Sequence, residues 1–322
     1  MKILLIGGTG HIASYLIKDL IKFGAEVTAV SRGSTVPYEN QKLFSKVRLH
    51  TLDREKAENG HAWEIFMASQ KWDIVVDFIA FEPRSAEISY KTLRNHVKHY
   101  IFISTCWMYG ETGRLPAVED ISRMNPGIPY AKKKLAIYRY FMGKFQKDKF
   151  PVTTINPTQI TGPGKTCINP LGNHDMVFFE EMASVKRVVI PVSTAPFVQH
   201  VHPKDIAQLI FLCIQHPQKS IGQMFNASSP YAMDYLTYAH WVAQFVGNPK
   251  LKICAEPYEE YLEKNGKDDS ILQHMKFPSC VSIEKAKYVL GYKPEFTAEQ
   301  AVASCLEWHV KTKRLNMKIG KV

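Results

Sequence analysis

The chain has 322 residues, enough for about two domains of roughly 150 residues each or one large α/β unit with an added lobe. Hydrophobic residues at 45% and charged residues at 22% exclude wholesale disorder, and Gly and Pro at 18 each exclude collagen-like or low-complexity sequence. The net charge is +11, to which Lys311, Lys313, Arg314, Lys318 and Lys321 contribute a local cluster, so the excess reads first as a solubility device and only second as a nucleic-acid face.

The first half alternates short apolar runs with amphipathic stretches. Residues 3–6, 26–30, 47–52, 74–79, 100–104 and 152–155 are short, β-branched and mostly without alternation, which predicts buried strands. Between the first two, Ile12, Leu16, Leu20 and Phe23 recur at spacings of three and four and predict a helix over 12–23. Such alternation implies βαβ units, hence a parallel sheet covered on both faces. After Gly162 the pattern changes. Pro163-Gly164 and Asn169-Pro170-Leu171-Gly172 mark loops, and helices are expected over 176–184, from Asp205 onward, from an Asp234 cap to Val246, and over 298–311. The expected division is a dinucleotide-binding domain over 1–162, with a return segment near 197–228, and a smaller substrate lobe from 163–196 and 229–322.

The six cysteines never form Cys-x-x-Cys, so reduced thiols and a cytoplasmic location are the simplest reading. No apolar run approaches the ~18 residues of a membrane helix, and the apolar start stops at Gly7-Gly8, too short for a secretory signal.

Ile6-Gly7-Gly8-Thr9-Gly10-His11-Ile12-Ala13 stands where the first strand turns into the first helix. Glycines there allow a tight turn and let backbone N–H groups reach a pyrophosphate at the positive helix end. About 20 residues further on, where a carboxylate would meet a free ribose 2′-hydroxyl, the chain has Ser31-Arg32 instead. A guanidinium can bind a 2′-phosphate, so NADP is favoured over NAD; the alternative is a solvent-facing loop arginine. Asp53 either accepts from the adenine amino group or serves as a turn residue. His11, Ile12, Arg54, Phe78, Ala80 and Pro157 complete the expected cofactor site.

Tyr130 and Lys134 lie four residues apart, on one face of a helix. A cation there is expected to stabilise phenolate and lower a pKa that starts near ~10, letting the phenol exchange a proton with a carbinol or carbonyl oxygen. Thr105 stands 25 residues earlier, at the end of a predicted strand. His11, His200 and His202 lack metal-ligand spacing with carboxylates, and no metal is expected.

Taken together, the glycine turn at Gly7–Ala13, Ser104-Thr105 with Tyr109-Gly110, Tyr130/Lys134, the Asn156-Pro157 loop with Gly162-Pro163-Gly164, and His202-Pro203-Lys204-Asp205 resemble the extended short-chain dehydrogenase/reductase family, in its NAD-dependent epimerase/dehydratase branch. The resemblance implies a Rossmann-like doubly wound parallel sheet with a smaller C-terminal α/β lobe. It also implies Tyr130 as acid/base, Lys134 as pKa modulator and ribose ligand, and Thr105 as donor to the substrate oxygen. The partners it implies are a sugar or nucleotide-sugar substrate and a second copy in a helix-pair homodimer. Cys106-Trp107 stand where dehydratases of the branch carry Asp-Glu, so elimination lacks its acid and base. Asn156 and Val198 stand where nucleotide-sugar enzymes place arginines, so a bidentate diphosphate clamp is not expected there. The segment 72–81 with Asp53-Arg54 also resembles a subgroup including chloroplast stem-loop RNA-binding proteins, which makes a basic RNA-binding protein without turnover the alternative.

Overall fold

The apolar start forms β1 (Lys2–Ile6), in which every residue after Lys2 is buried. Its side chains alternate between two cores, Ile3 and Leu5 in one and Leu4 and Ile6 in the other, as a strand covered on both faces requires. The structure, a computed structural model, describes residues 1–35, 39–120, 122, 124–193, 197–265 and 273–320; Lys321 of the basic cluster lies outside them. β2 (Glu26–Ser31), β3 (Arg48–Thr51), β4 (Trp72–Asp77), β5 (Val97–Ile103) and β6 (Val152–Pro157) follow, and Met224–Ala227 supplies a seventh strand. The order across the sheet is Met224–Ala227, β6, β5, β4, β1, β2, β3, with every pairing parallel. The chain thus winds outward from β1 to β3 and returns beside β1 as β4. That is the Rossmann-like, doubly wound arrangement expected, with its switch point between the carboxyl ends of β1 and β4.

One strand departs from expectation. β3 was read as buried, yet all four of its residues are exposed. It pairs only with β2 at the sheet edge, and Arg48 and His50 give that edge the polar character that discourages further pairing.

Helix α1 (Ala13–Lys22) lays Ala13, Leu16, Ile17 and Leu20 on one face of the sheet, beside helix Pro203–Gln215 with Leu209 and Ile210. The 20-residue helix Pro129–Asp148 covers the other face through Leu135, Ile137 and Phe141, against Tyr100, Phe102 and Phe150. Pro129 opens that helix at a position where a missing N–H costs no hydrogen bond. A third core holds Phe179, Met182, Ile190, Tyr238, Val242, Val302 and Leu306. It gathers helices Val177–Ser184, Tyr235–Phe245 and Ala298–Lys311 around the parallel pair Arg187–Val192 and Lys252–Pro257. Asp234 caps its helix by accepting from Thr237 N at 2.9 Å, as the sequence predicts. Residues 283–292, read with the lobe from sequence, pack instead on the sheet core through Ile283, Ala286, Leu290 and Tyr292.

Candidate active site

The turn after β1 is shaped by the absence of side chains. Gly7 has φ +83°, and a Cβ on it would meet Ile79 at 2.9 Å. A Cβ on Gly8 would stand 2.6 Å from Ala29 Cβ and 2.8 Å from Leu5 Cβ. Gly7 N donates to Val30 O at 2.8 Å and Gly10 N to Gly7 O at 3.0 Å, which folds the turn against β2 at the N-terminus of α1. In front of it lies a cavity of about 590 Å³, lined among others by Gly7, Thr9, Gly10, Ser31, Arg32 and Asp53. Such a turn, with a polar wall and a helix end, fits a dinucleotide.

The other expected cofactor residues divide. Gly8, His11, Ile12, Phe78, Ala80 and Pro157 are not on this cavity's wall. Gly8 and Ile12 are packing positions beneath the turn, and Phe78 packs on the sheet core. His11 is desolvated by burial, with Lys165 and His202 adding to the effect, and its pKa falls to about 3. Asp53 caps helix Arg54–Asn59 by accepting from Lys56 N at 3.2 Å, while still facing the cavity.

Arg54 requires a correction. It borders the cavity, but its guanidinium is already engaged at all three nitrogens. Nε donates to Glu58 at 2.6 Å, Nη1 to both Asp77 oxygens at 2.9 Å, and Nη2 to Ser85 O and Ser89 Oγ. It also lies 5.2 Å from the Trp63 ring centroid and is only 7% exposed. This arginine builds the cavity floor instead of offering a free donor to a ligand.

A second cavity, of about 270 Å³, opens at the ends of β5 and β6. Thr105 and Tyr130 both line it, so the structure brings together two of the three expected catalytic residues on one wall. Thr105 ends the β5 segment and caps a single 3-10 turn, accepting from Trp107 N at 3.3 Å. Tyr130, in the first turn of helix Pro129–Asp148, is 41% exposed. Desolvation nevertheless pushes the phenol up to about 12; the nearby Cys106 adds to this, and hydrogen bonding to Thr105 opposes it.

Lys134 is the third. It is 1% exposed, and Nζ donates to Ala80 O and Ile103 O, each at 2.9 Å. Ala80 stands between two residues of the cofactor cavity, Ile79 and Phe81, and Ile103 precedes Ser104 and Thr105 of the second, so the ammonium is bonded to the chain beside each wall. Nζ lies 4.7 Å from the Phe81 ring centroid and 5.9 Å from that of Tyr130. Burial lowers its pKa to about 7, with Asp77 resisting the fall. The expected depression of Tyr130 by this lysine is therefore reversed in the structure. The ammonium is drawn onto two backbone carbonyls and burial dominates at both groups.

Several residues on the second cavity escaped the sequence reading, among them Gln159, Ile160 and His274. Gln159 lies between Asn156-Pro157 and Gly162-Pro163-Gly164, a segment legible in the sequence; His274 comes from a distant segment with no local signal. Pro157 lines this cavity and not the first. Cys106 is buried, its thiol pushed up to about 12 by desolvation, and Trp107 is on the cavity wall. Neither supplies an acid or base. His200 bonds Thr161 Oγ1 at 2.8 Å, and His202 stacks on Phe296 at 3.9 Å while its Nδ1 accepts from Lys204 N; both are neutral structural residues.

A seven-stranded parallel sheet of this order, with a glycine turn at its switch point, defines the Rossmann-like class of α/β proteins. Within that class, the chain belongs to the NAD dependent epimerase/dehydratase family, whose model matches residues 3–228. Among its relatives, the chloroplast stem-loop binding protein of 41 kDa b from Arabidopsis thaliana is 27% identical over 310 residues, covering 92% of this chain and 75% of that protein. A UDP-glucose 4-epimerase from Lactobacillus helveticus is 23% identical over 361 residues, covering 96% and 97%. The solved structure of UDP-glucose 4-epimerase with UDP-glucose from Thermotoga maritima superposes with a TM-score of 0.71 at 20% identity, covering 97% of this chain and 100% of that one, a likeness of fold. Among the described residues no helix is long and apolar enough to cross a membrane, and no group of three or more His, Cys, Asp or Glu residues could hold a metal ion.

Proposed function

We propose that the protein is an NAD(P)-dependent epimerase or reductase acting on a hydroxyl or carbonyl of a sugar or sugar derivative. The observation that carries this reading is Thr105 and Tyr130 on the wall of one cavity, with Lys134 hydrogen-bonded to the carbonyls of Ala80 and Ile103, chain neighbours of residues that line the two cavities. The glycine turn, Ser31, Arg32 and Asp53 would hold the cofactor, and a bound nicotinamide would supply the oxidising or reducing equivalents. NADP is favoured because Arg32 is exposed on the cavity wall and forms no ion pair among the described residues.

The chain's own groups then move one proton. With its pKa pushed up to about 12, the Tyr130 hydroxyl is protonated at neutral pH and suited to donate to a carbonyl oxygen. Thr105 steadies the same oxygen by a hydrogen bond. Lys134 has three N–H donors, two of them used on carbonyls; the third is available to a ribose hydroxyl.

Tyr130→Phe should abolish turnover of nicotinamide in a screen of sugars and nucleotide sugars while leaving cofactor affinity nearly intact, because the phenol serves the substrate. Lys134→Ala should weaken both. Full turnover in Tyr130→Phe would overturn the assignment. The alternative, a stem-loop RNA-binding protein on the same fold, has the +11 charge and the Arabidopsis relative in its favour. Tight RNA binding by the Tyr130→Phe/Lys134→Ala protein, with no turnover by the unaltered chain, would promote it.

A further inference from the structure

The substrate cavity carries a charge that the acid/base chemistry does not use. Lys165 lines it, in the loop after β6, and that loop is held in place from the lobe. Gly164 takes φ +84°, and the Lys165 carbonyl accepts from Cys305 Sγ at 3.0 Å and His309 Nε2 at 3.1 Å, both on helix Ala298–Lys311. Lys165 is exposed and forms no ion pair among the described residues. Crowding still lowers its pKa from the usual lysine value, and its charge helps hold His11 and His174 neutral. His274, lowered to about 4 by burial, is neutral as well.

No Asp or Glu is among the described residues on this cavity's wall. The wall therefore presents one partly desolvated cation without a counter-charge, an arrangement that an anionic ligand completes. Size narrows the ligand. About 270 Å³ falls just below the ~300–1,000 Å³ usual for small-molecule sites, which suits one sugar ring with one charged group better than a nucleoside diphosphate sugar. Trp107 offers a flat apolar face for such a ring, and Gln159 a carboxamide for its hydroxyls.

We infer that the substrate is a small anionic sugar, a monosaccharide bearing a phosphate or carboxylate, and that Lys165 is the specificity residue that meets its charge. The inference rests on the proposed function, since Thr105 and Tyr130 handle the reacting oxygen of the same molecule.

The test is calorimetric titration of NADP⁺-loaded protein with glucose, galactose and mannose, each as the neutral sugar, the uronate and the 6-phosphate, with UDP-glucose as a further arm. At least one anionic sugar should bind about tenfold or more tighter than its neutral parent. Lys165→Gln should erase that preference while leaving NADP⁺ affinity and melting temperature in place, and Lys165→Arg should restore most of it. Preference for the 6-phosphates identifies a phosphoryl group as the anion, and preference for the uronates a carboxylate. Equal affinity for neutral and anionic sugars, no binding by any anionic sugar, a preference that survives Lys165→Gln, or UDP-glucose binding tenfold tighter than every monosaccharide would each overturn the inference. Binding is measured without turnover, so the two readings fail separately. Lys165-dependent binding with full turnover in Tyr130→Phe removes only the catalytic assignment, whereas sugar turnover without an anion preference removes only this one.

Discussion

Replacing Arg54 by Met tests whether this arginine belongs to the fold or to the ligand. The substitution keeps an apolar stem but removes the charge between Asp77, which is fully buried, and Glu58, which is nearly so. Breaking a buried ion pair by deleting one partner typically costs about 3–5 kcal/mol, because the remaining charge has no compensation. The surroundings here soften that loss. Asp77 keeps the Tyr100 hydroxyl at 2.6 Å and Ile79 N at 3.0 Å, and Glu58 keeps Ser85 Oγ at 2.8 Å. The expected destabilisation is therefore in the lower part of the range, about 3–4 kcal/mol. With melting shifts of about 2–4 °C per kcal/mol, the drop should be roughly 6–16 °C. Urea and thermal unfolding measure it, and adding Asp77→Asn and Glu58→Gln to Arg54→Met should recover part of the loss by removing the stranded charges. A change below about 1 kcal/mol would refute the reasoning, which rests on the cost of those stranded charges. A large drop in cofactor affinity at unchanged stability would do the same, since it would return Arg54 to the ligand.

Two further outcomes follow from the site and its supports. NADP should bind more tightly than NAD, and Arg32→Ala should shrink the difference by about 1.5–3 kcal/mol, the scale of hydrogen bonds to a charged group; equal affinities in the unaltered protein, at one salt concentration, would show that Arg32 points elsewhere. His200 falls to about 3 in the folded state from an ordinary 6.5, through burial with His274 and His174 adding to it. The unfolded chain therefore binds a proton that the folded one refuses, and stability should fall as pH drops from about 6.5 toward 3, by up to about 1.4 kcal/mol per unit from this group. Chemical denaturation at several pH values should show a shallower acid slope in His200→Asn, and an identical slope would remove His200 from the account.

What could be read from sequence follows the distance over which each interaction acts. The strands of the sheet centre were legible because burial on both faces leaves unalternated apolar runs, as in Ile3 to Ile6. β3 was misread because an edge strand obeys a different rule, and nothing within 47–52 says which strand ends a sheet. Tyr130 and Lys134 were legible as a helical pair, but the carbonyls of Ala80 and Ile103 that draw Nζ away are fixed only by the packing of the helix on β4 and β5. Burial of both groups decides the direction of their pKa shifts, so spacing alone gave the wrong direction for Tyr130. Arg54 shows the same limit. Glu58 is one helical turn away and visible, whereas Asp77 reaches it only because β4 lies where it does.

The substrate end of the site is the least legible part, for a reason the two missing arginines make concrete. Asn156 and Val198 were read as the places where a diphosphate clamp is absent. In the structure both are buried, and neither is on the wall of either cavity. Asn156 Nδ2 donates to Tyr109 Oη at 3.4 Å, and Val198 packs in the lobe core. An arginine placed there would have to bury its guanidinium within packed side chains, at a penalty of several kcal/mol for an unpaired ion. The clamp is thus absent for reasons of backbone placement as well as residue type, and restoring the residues would not restore it. In the proposed reading, recognition of charge would fall to whatever the loops between sheet and lobe supply. On the described wall that is Lys165, whose position depends on helix Ala298–Lys311, more than 130 residues away along the chain. In the proposed reading, the acid/base residues stand on and beside the sheet, where local sequence speaks clearly, whereas substrate choice would depend on contacts between distant segments, where it does not.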